Sequence, residues 1–260
     1  MRALIVKHTG IAVALAAALV GGCKGTTGGG GSGGNTNAAA VGVWSGTDSV
    51  TGRAITALVD SAGNAQFMRA DGVLFSGSVQ VSVNTLVATV NGYSEFPAAF
   101  SDQSTHGIGT VNGTVVSGDS IAATLAFTTD GGTQMTGNWT LSFEALSNDS
   151  SGVTQVSGNY TDTVTGSVLS INTNGAMTSQ NPTNGCVLNG TISTADSTHN
   201  IYQVAFSYGN CTGTYAVLNG VQLSGLATLN SHVSPAQLTM AASGASAGAY
   251  YAVVSGLNAS

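Results

Sequence analysis

The densest group of potentially reactive side chains lies in residues 102–106, which read Asp-Gln-Ser-Thr-His. A serine nucleophile needs a histidine to accept its proton and a carboxylate to orient that histidine, and all three residue types occur here. Members of such triads are normally brought together from separate segments, and Ser104 does not lie in a Gly-x-Ser-x-Gly elbow. We therefore predict no catalytic residue and no enzyme activity; hydrolysis that depends on His106 would contradict this.

The other histidines and carboxylates form no recognisable metal site. His199 and His232 lie in segments of turn composition, where each is most simply a solvated side chain. The turn at residues 60–64 lacks the alternating oxygen ligands and the closing glutamate of a calcium loop. We predict neither a metal ion nor a cofactor.

The first 23 residues have the layout of an export signal. Basic residues precede an apolar run from Ile11 to Val20, and two glycines lead to Cys23. About ten apolar residues are too few for a bilayer-spanning helix, which needs roughly twenty. The segment Val20-Gly21-Gly22-Cys23 resembles the lipobox of bacterial lipoproteins, with valine where leucine is usual. An ordinary secretory signal that leaves Cys23 as a free thiol is the alternative.

The lipobox resemblance implies a signal peptide, with its signal helix, over residues 1–22 and a lipid on the thiol of Cys23. Residues 23–40 are then a lipidated cysteine followed by a flexible Gly-rich tether. Lys24 follows the cysteine where inner-membrane lipoproteins carry aspartate, so the resemblance also implies the bacterial outer membrane. Periplasmic and surface-exposed positions both remain open.

The composition restricts the possible partners. After cleavage before Cys23, three basic residues remain against eleven acidic ones, a formal charge of −8. So few cations cannot neutralise a row of phosphates, which argues against nucleic acid. The low number of basic residues also argues against electrostatic binding of the protein to anionic lipid headgroups, so membrane contact should come from the lipid anchor alone.

Cys186 and Cys211 are predicted to form a disulfide, because an exported protein occupies a compartment where disulfides persist. Two thiols without a nearby pair of histidines do not supply the four ligands that a structural zinc ion needs. Folding the segment between them into a hairpin places the sulfurs opposite each other. A strict register would separate Leu188 from Tyr202 on opposite faces, so we predict a one-residue slip near Gly209.

The rest of the chain has the period-2 pattern of antiparallel β-strands, with no convincing helix. Two similar halves, residues 41–148 and 153–260, each open on a related segment and are joined by a polar linker. Chance similarity between Gly/Val/Thr-rich strands is the alternative. If the repeat is real, the fold class is all-β, an antiparallel meander forming two tandem small barrels or half-barrels.

The opener Gly42-Val43-Trp44 weakly resembles that of the avidin and lipocalin barrels, although the second half has Tyr160 in the aromatic position. Aromatic side chains either line a barrel mouth for a ligand or fill the barrel; the candidates are Trp44, Trp139, Tyr160, Tyr202, Tyr208, Tyr215, Tyr250 and Tyr251. An open cavity would favour a non-catalytic binding module for a small ligand or surface partner. A filled core would favour a structural or adhesive envelope component without a pocket.

Overall fold

The computed structural model describes residues 37–260. It is 60% strand and 6% helix, and it contains two closed antiparallel barrels of eight strands in tandem. The all-β prediction and the two-barrel architecture are therefore confirmed. The predicted signal peptide, Cys23 and most of the tether lie outside the described residues.

Each barrel is a meander in which consecutive strands pair and the last strand returns to the first. The first barrel consists of β1 (Gly42–Asp48), β2 (Arg53–Val59), β3 (Asn64–Arg69), β4 (Val73–Ser82), β5 (Thr85–Ser94), β6 (His106–Val116), β7 (Ser120–Thr129) and β8 (Gln134–Phe143). The second consists of β9 (Gly158–Thr161), β10 (Val168–Ile171), β11 (Ala176–Gln180), β12 (Val187–Asp196), β13 (Ile201–Gly209), β14 (Gln222–Asn230), β15 (Gln237–Ser246) and β16 (Ala249–Ala259).

The two barrels close to different extents. In the first, β1 pairs with β8 over five residue pairs, from Trp44–Phe143 to Asp48–Trp139. In the second, β9 pairs with β16 through two pairs only, Asn258–Thr161 and Ala259–Tyr160. Closure leaves no free edge to recruit another strand, but the second barrel has the narrower closing contact.

The openers of the two halves use their aromatic residues in the same way. The indole Nε1 of Trp44 donates a hydrogen bond to the carbonyl of Ala40 at 2.8 Å. The hydroxyl of Tyr160 donates to the carbonyl of Val156 at 3.0 Å, again four residues earlier in the chain. Tyrosine therefore replaces tryptophan in the second half without losing the contact that ties the incoming chain to its barrel.

A turn between the second and third strands of each barrel also recurs. Gly63 and Gly175 both have φ of +85°, and each carbonyl accepts a hydrogen bond from a later strand, from Val79 and Ile192 respectively. A Cβ at Gly63 would lie 2.6 Å from the Val79 oxygen, and one at Gly175 would lie 2.2 Å from the Ile192 oxygen. Glycine is required at both turns by backbone angle and by space.

Aromatic rings fill the first barrel. Trp139 lies 5.1 Å from Phe67 and 5.7 Å from Phe75 between ring centroids, and Phe75 meets Phe127 edge-on at 5.4 Å. Trp44 is fully buried in the same cluster. Large rings from several strands thus occupy the space that a ligand would need.

The second barrel has a core of smaller aliphatic side chains with three aromatic ones. Tyr160, Tyr202 and Phe206 are buried among leucine, isoleucine, valine and methionine residues from β10 to β16. Both interiors are therefore packed by the chain's own side chains, as expected of small eight-stranded barrels.

The barrels pack against each other through an apolar cluster that we call the interbarrel seam. Leu74 is the clearest example: it points out of the first barrel but is fully buried, while its neighbour Phe75 points inward. The seam is formed by Val43, Leu58, Met68, Leu74 and Tyr93 of the first barrel and Ile201, Leu226, Ala241 and Ala252 of the second. Burial of these outward-facing residues joins the two barrels into one unit.

The linker between the barrels is held in place, although its polar composition is that of a flexible connection. The hydroxyl of Ser147 accepts a hydrogen bond from the Val43 amide at 2.8 Å and donates to the Val43 carbonyl at 3.0 Å. The backbone of Ser147 accepts from the Asn200 amide of the second barrel at 3.3 Å. Ser151 donates to the Asp196 carbonyl at 2.6 Å.

The chain enters the first barrel at one defined end. The amide of Ala38 donates to the Val83 carbonyl at 2.5 Å, and the amide of Ala39 donates to the Ser117 hydroxyl at 2.8 Å. Val83 lies in the β4–β5 turn and Ser117 in the β6–β7 turn. Residues 37–40, which the sequence assigned to the tether, are therefore bonded to the barrel.

The predicted disulfide between Cys186 and Cys211 is present. The β12–β13 ladder ends with Val187 opposite Gly209, so the two cysteines lie one residue out of its register. Asn210 takes up the extra residue with φ of +58°. The one-residue slip that the sequence predicted near Gly209 is thus present, between the end of the ladder and Cys211.

The same hairpin contains a second irregularity that the sequence did not predict. Its register shifts between Thr194 and Asp196, near the turn. Between the two slips, Leu188 lies opposite Tyr208 and Ile192 opposite Val204, so the apolar residues share the inner face.

The helical content of residues 37–260 is limited to short segments that connect strands. They are one α-helical turn, α1 (Val153–Val156), and the 3-10 helices Ala145–Asn148 and Gly213–Leu218. The sequence predicted no helix after the tether, because segments this short have no detectable 3.6-residue period. Within residues 37–260, no helix has the length and apolarity needed to cross a membrane.

Candidate functional site

The eight candidate aromatic residues divide into two groups. Trp44, Trp139, Tyr160 and Tyr202 are each less than 5% exposed and fill the barrel interiors. Tyr208, Tyr215, Tyr250 and Tyr251 are only partly buried. The first group follows the expectation that aromatic residues fill the barrels.

Part of the second group surrounds the disulfide. The ring of Phe96, from the first barrel, meets Tyr215 edge-on at 5.4 Å and lies 6.0 Å from Tyr251. Tyr208 packs in the same cluster beside the disulfide. Burial raises the pKa of Tyr208 to about 12, with a smaller contribution from the negative charge of Glu95. These rings therefore extend the interbarrel contact.

His106 lies at the barrel junction. It is buried, its Nδ1 is 3.0 Å from a carboxylate oxygen of Asp130, and its Nε2 is 3.2 Å from Oδ1 of Asn91. Its ring stacks on Tyr250 of the second barrel with centroids 3.7 Å apart and meets Tyr93 at 5.3 Å. With both nitrogens engaged and one face covered, His106 is placed to hold the barrels together.

The sequence cluster around His106 does not assemble as a triad. Asp102 accepts hydrogen bonds from the Ser104 and Thr129 hydroxyls, and these hold the pKa of its carboxyl well below its usual range. His106 contacts Asp130 instead of Asp102. Proximity in the sequence therefore places these groups near one another without orienting a histidine toward Ser104.

The other two histidines are paired with carboxylates. Nδ1 of His199 lies 2.8 Å from Asp196 within its turn, and Nε2 of His232 lies 2.9 Å from Asp149 in the linker. Hydrogen bonds, first from Thr198, lower the pKa of Asp196 to about 2. The prediction that each is a solvated turn residue did not include these carboxylate contacts. Across the described part of the chain, no group of three or more His, Cys, Asp or Glu is arranged to hold a metal ion.

A polar cleft of about 390 Å³ lies between the barrels, beside the seam. Its first-barrel wall comes from β3 and β4, and its second-barrel wall comes from β12 to β15. The lining residues are Asn64, Gln66, Ser76, Gly77, Thr191, Ser193, Gln203, Val204, Ala205, Ser224, Gly225, Leu226 and Ser243. Hydroxyl and amide groups dominate this lining, and it contains no charged residue.

A second opening of about 450 Å³ lies where the linker meets the second barrel. Asp149 and His232 line it together with Tyr202 and Asn200. Oδ2 of Asp149 lies 2.9 Å from Nε2 of His232, and the Asn200 side-chain amide donates to the backbone carbonyl of Leu229 at 2.7 Å. The Asp149, His232 and Asn200 side chains at this opening thus already lie against other groups of the protein.

The outer face of β5 to β8 is a regular exposed surface of the first barrel. Alternate residues from Thr85 to Asn91 and from Ile108 to Val116 are exposed, and the same holds along β7 and β8. These exposed positions are threonine, asparagine, alanine, valine, isoleucine, glutamine or serine, without a charged side chain. The face offers hydroxyl and amide groups at regular strand spacing.

Sequence reasoning missed the cleft. The period-2 pattern places Ser76 and Gln203 on the outer faces of their strands, but nothing in it indicated that Gln66 and Gln203 would face one space. They come from different halves of the chain, and only the packing of the two barrels brings them together.

The fold and surface define a protein of two filled, tandem eight-stranded barrels with a neutral polar cleft between them. Neither a protein-family model, nor a curated protein, nor a solved structure matches the chain.

Proposed function

We propose that the chain is a lipid-anchored bacterial outer-membrane protein whose non-catalytic β-body acts through its external surface, as a structural or adhesive envelope component. The observation that carries the proposal is the filling of both barrels: Trp44, Trp139, Phe75 and Tyr202 occupy the positions where an interior ligand would lie. The filled interiors argue against an internal binding site of the lipocalin kind and support contact with partners on the outside of the barrels.

The uncharged outer face of β5 to β8 supports this surface role. Long charged side chains keep soluble proteins apart, and this face has none, so a partner can approach the sheet without removing charges from water. The chain enters the barrel through Ala38 and Ala39, at the end that contains the β4–β5 turn. An anchor at Cys23 would therefore hold this end toward the membrane and leave the opposite end available.

The anchor is tested by expressing the full chain and a Cys23→Ser variant in a bacterium that exports lipoproteins. We expect the native chain in the membrane fraction, with the mass of lipid on Cys23, and the variant outside it. An unmodified thiol or an intact leader on the native product would overturn the anchor.

The surface role is tested by capture of envelope components with the full chain in detergent. A Thr124→Glu substitution introduces a charge at the middle of the β5–β8 face, and Thr165→Glu introduces the same charge in an exposed loop of the second barrel. We expect Thr124→Glu to reduce capture and Thr165→Glu to leave it unchanged. Equal capture by both variants would exclude this face.

A further inference from the structure

We infer that the cleft between the barrels is a binding site for an uncharged, hydroxyl-rich ligand, of the size of one or two sugar rings. This inference goes beyond the proposed function, because it depends neither on the lipid anchor nor on the β5–β8 face.

The first argument is an incomplete hydrogen-bond set on the floor of the cleft. Gln66 is 5% exposed, and its Nε2 donates to the Ser76 hydroxyl at 3.0 Å. Its Oε1 is buried and has no partner among the described residues. An amide oxygen left without a donor costs about 1–3 kcal/mol, so a site that supplies a donor gains that energy. Rotation of the amide about its broad last torsion can present either end to the cleft.

The second argument is the charge balance. The nearest carboxylate, Asp60, is buried and accepts hydrogen bonds from the amides of Ala62 and Asn64 and from the side chains of Asn64 and Gln203. Its charge is therefore already stabilised by the protein. Because no cation lines the cleft, a phosphate or carboxylate would lose its hydration without gaining a counter-charge. A neutral ligand avoids that cost.

The third argument is the kind of polar group. Glutamine, asparagine, serine and threonine each donate and accept, as sugar hydroxyls do. Most small-molecule sites are largely apolar with a few placed polar groups, whereas this cleft is lined mainly by polar ones. Its volume of about 390 Å³ is within the range of ligand sites and accommodates one or two sugar rings.

Gln203 is the residue that best tests the site. It is exposed on β13, and its Nε2 reaches Asp60 of the other barrel at 3.3 Å, so its amide spans the cleft. Its removal should weaken binding without disrupting a core. Gln222, exposed on β14 outside the cleft lining, is the matched control for loss of a glutamine side chain.

The experiment follows the side-chain amide NMR signals of Gln66 and Gln203 while maltose is added to the full chain in detergent. We expect both signals to shift and saturate, and we expect glucose 6-phosphate and glucosamine to shift them much less. Gln203→Ala should raise the apparent Kd for maltose by about tenfold, the effect of one lost hydrogen bond, while Gln222→Ala should leave it unchanged.

Three results would overturn the inference: no saturable shift with maltose, equal binding of the charged sugars, or an apparent Kd that Gln203→Ala does not change. Failure here is distinguishable from failure of the proposed function. Membrane fractionation and capture through the β5–β8 face do not use the cleft, so either can succeed while the maltose titration fails.

Discussion

Replacement of Ser147 by alanine should destabilise the protein far more than its linker position suggests. The Ser147 side chain is fully buried, and its hydroxyl makes two hydrogen bonds to Val43. The Val43 carbonyl also accepts from the Glu144 amide at 2.9 Å, so it keeps a partner after the substitution. The Val43 amide loses the acceptor that Ser147 provides.

The magnitude follows from these two unequal losses. Leaving the buried Val43 amide unpaired costs about 1–3 kcal/mol, and loss of the second, redundant hydrogen bond adds about 1 kcal/mol. We therefore expect the free energy of unfolding to fall by about 2–4 kcal/mol. The methyl group of alanine occupies the remaining space, so no large cavity adds to this cost.

Urea denaturation followed by tryptophan fluorescence measures the effect, because Trp44 is adjacent to Val43 and buried. Ser142→Ala, at an exposed position on β8, is the matched control and should change stability by less than about 0.5 kcal/mol. An effect of Ser147→Ala as small as that of the control would show that the linker hydroxyl is not the acceptor for Val43.

Other predictions address the core, the disulfide, titration and opening. Trp139→Ala should lower the free energy of unfolding by about 3–5 kcal/mol in denaturant titration, and a loss below about 1 kcal/mol would contradict a packed interior. Denaturation without reductant should expose no thiol from the Cys186–Cys211 pair, and reduction should cost about 3 kcal/mol of stability; labelling of both cysteines before reduction would refute the bond. Thr198→Val removes the main hydrogen-bond donor to Asp196, so NMR titration should find the pKa of Asp196 raised above about 2. In the native protein the lowered pKa of Asp196 contributes stability above its unfolded pKa of about 4, and this stability is lost as the pH falls toward 2. Amides of β9 should exchange hydrogen faster than those of β6 because two residue pairs close the second barrel; equal protection would show that its closing contact is as stable as the rest.

The strands and their inward faces could be predicted from local pattern. Along β7, Ile121, Leu125 and Phe127 alternate with exposed residues, and they are buried as the period-2 rule requires. The disulfide could also be predicted, because two cysteines flank one hairpin and strand pairing is local. Each of these features depends on residues close together in the chain.

Features that depend on the contact between barrels could not be read from any local pattern. Leu74 breaks the alternation of β4, and its burial is explained only by the second barrel against it. His106 is close to Asp102 in sequence, but the turn after β7 supplies Asp130 and the second barrel supplies Tyr250 as its actual neighbours.

The amino-acid sequence by itself determined an all-β chain in two halves, the turns and inward residues of each, and the disulfide of the second half, because period-2 burial and turn chemistry operate over a few residues. Tertiary structure alone decided that the barrels are filled, that their outer faces form an apolar seam, and that Gln66 and Gln203 face one cleft. The physical reason is that side-chain volume and the packing of one barrel on another are properties of residues distant in the chain.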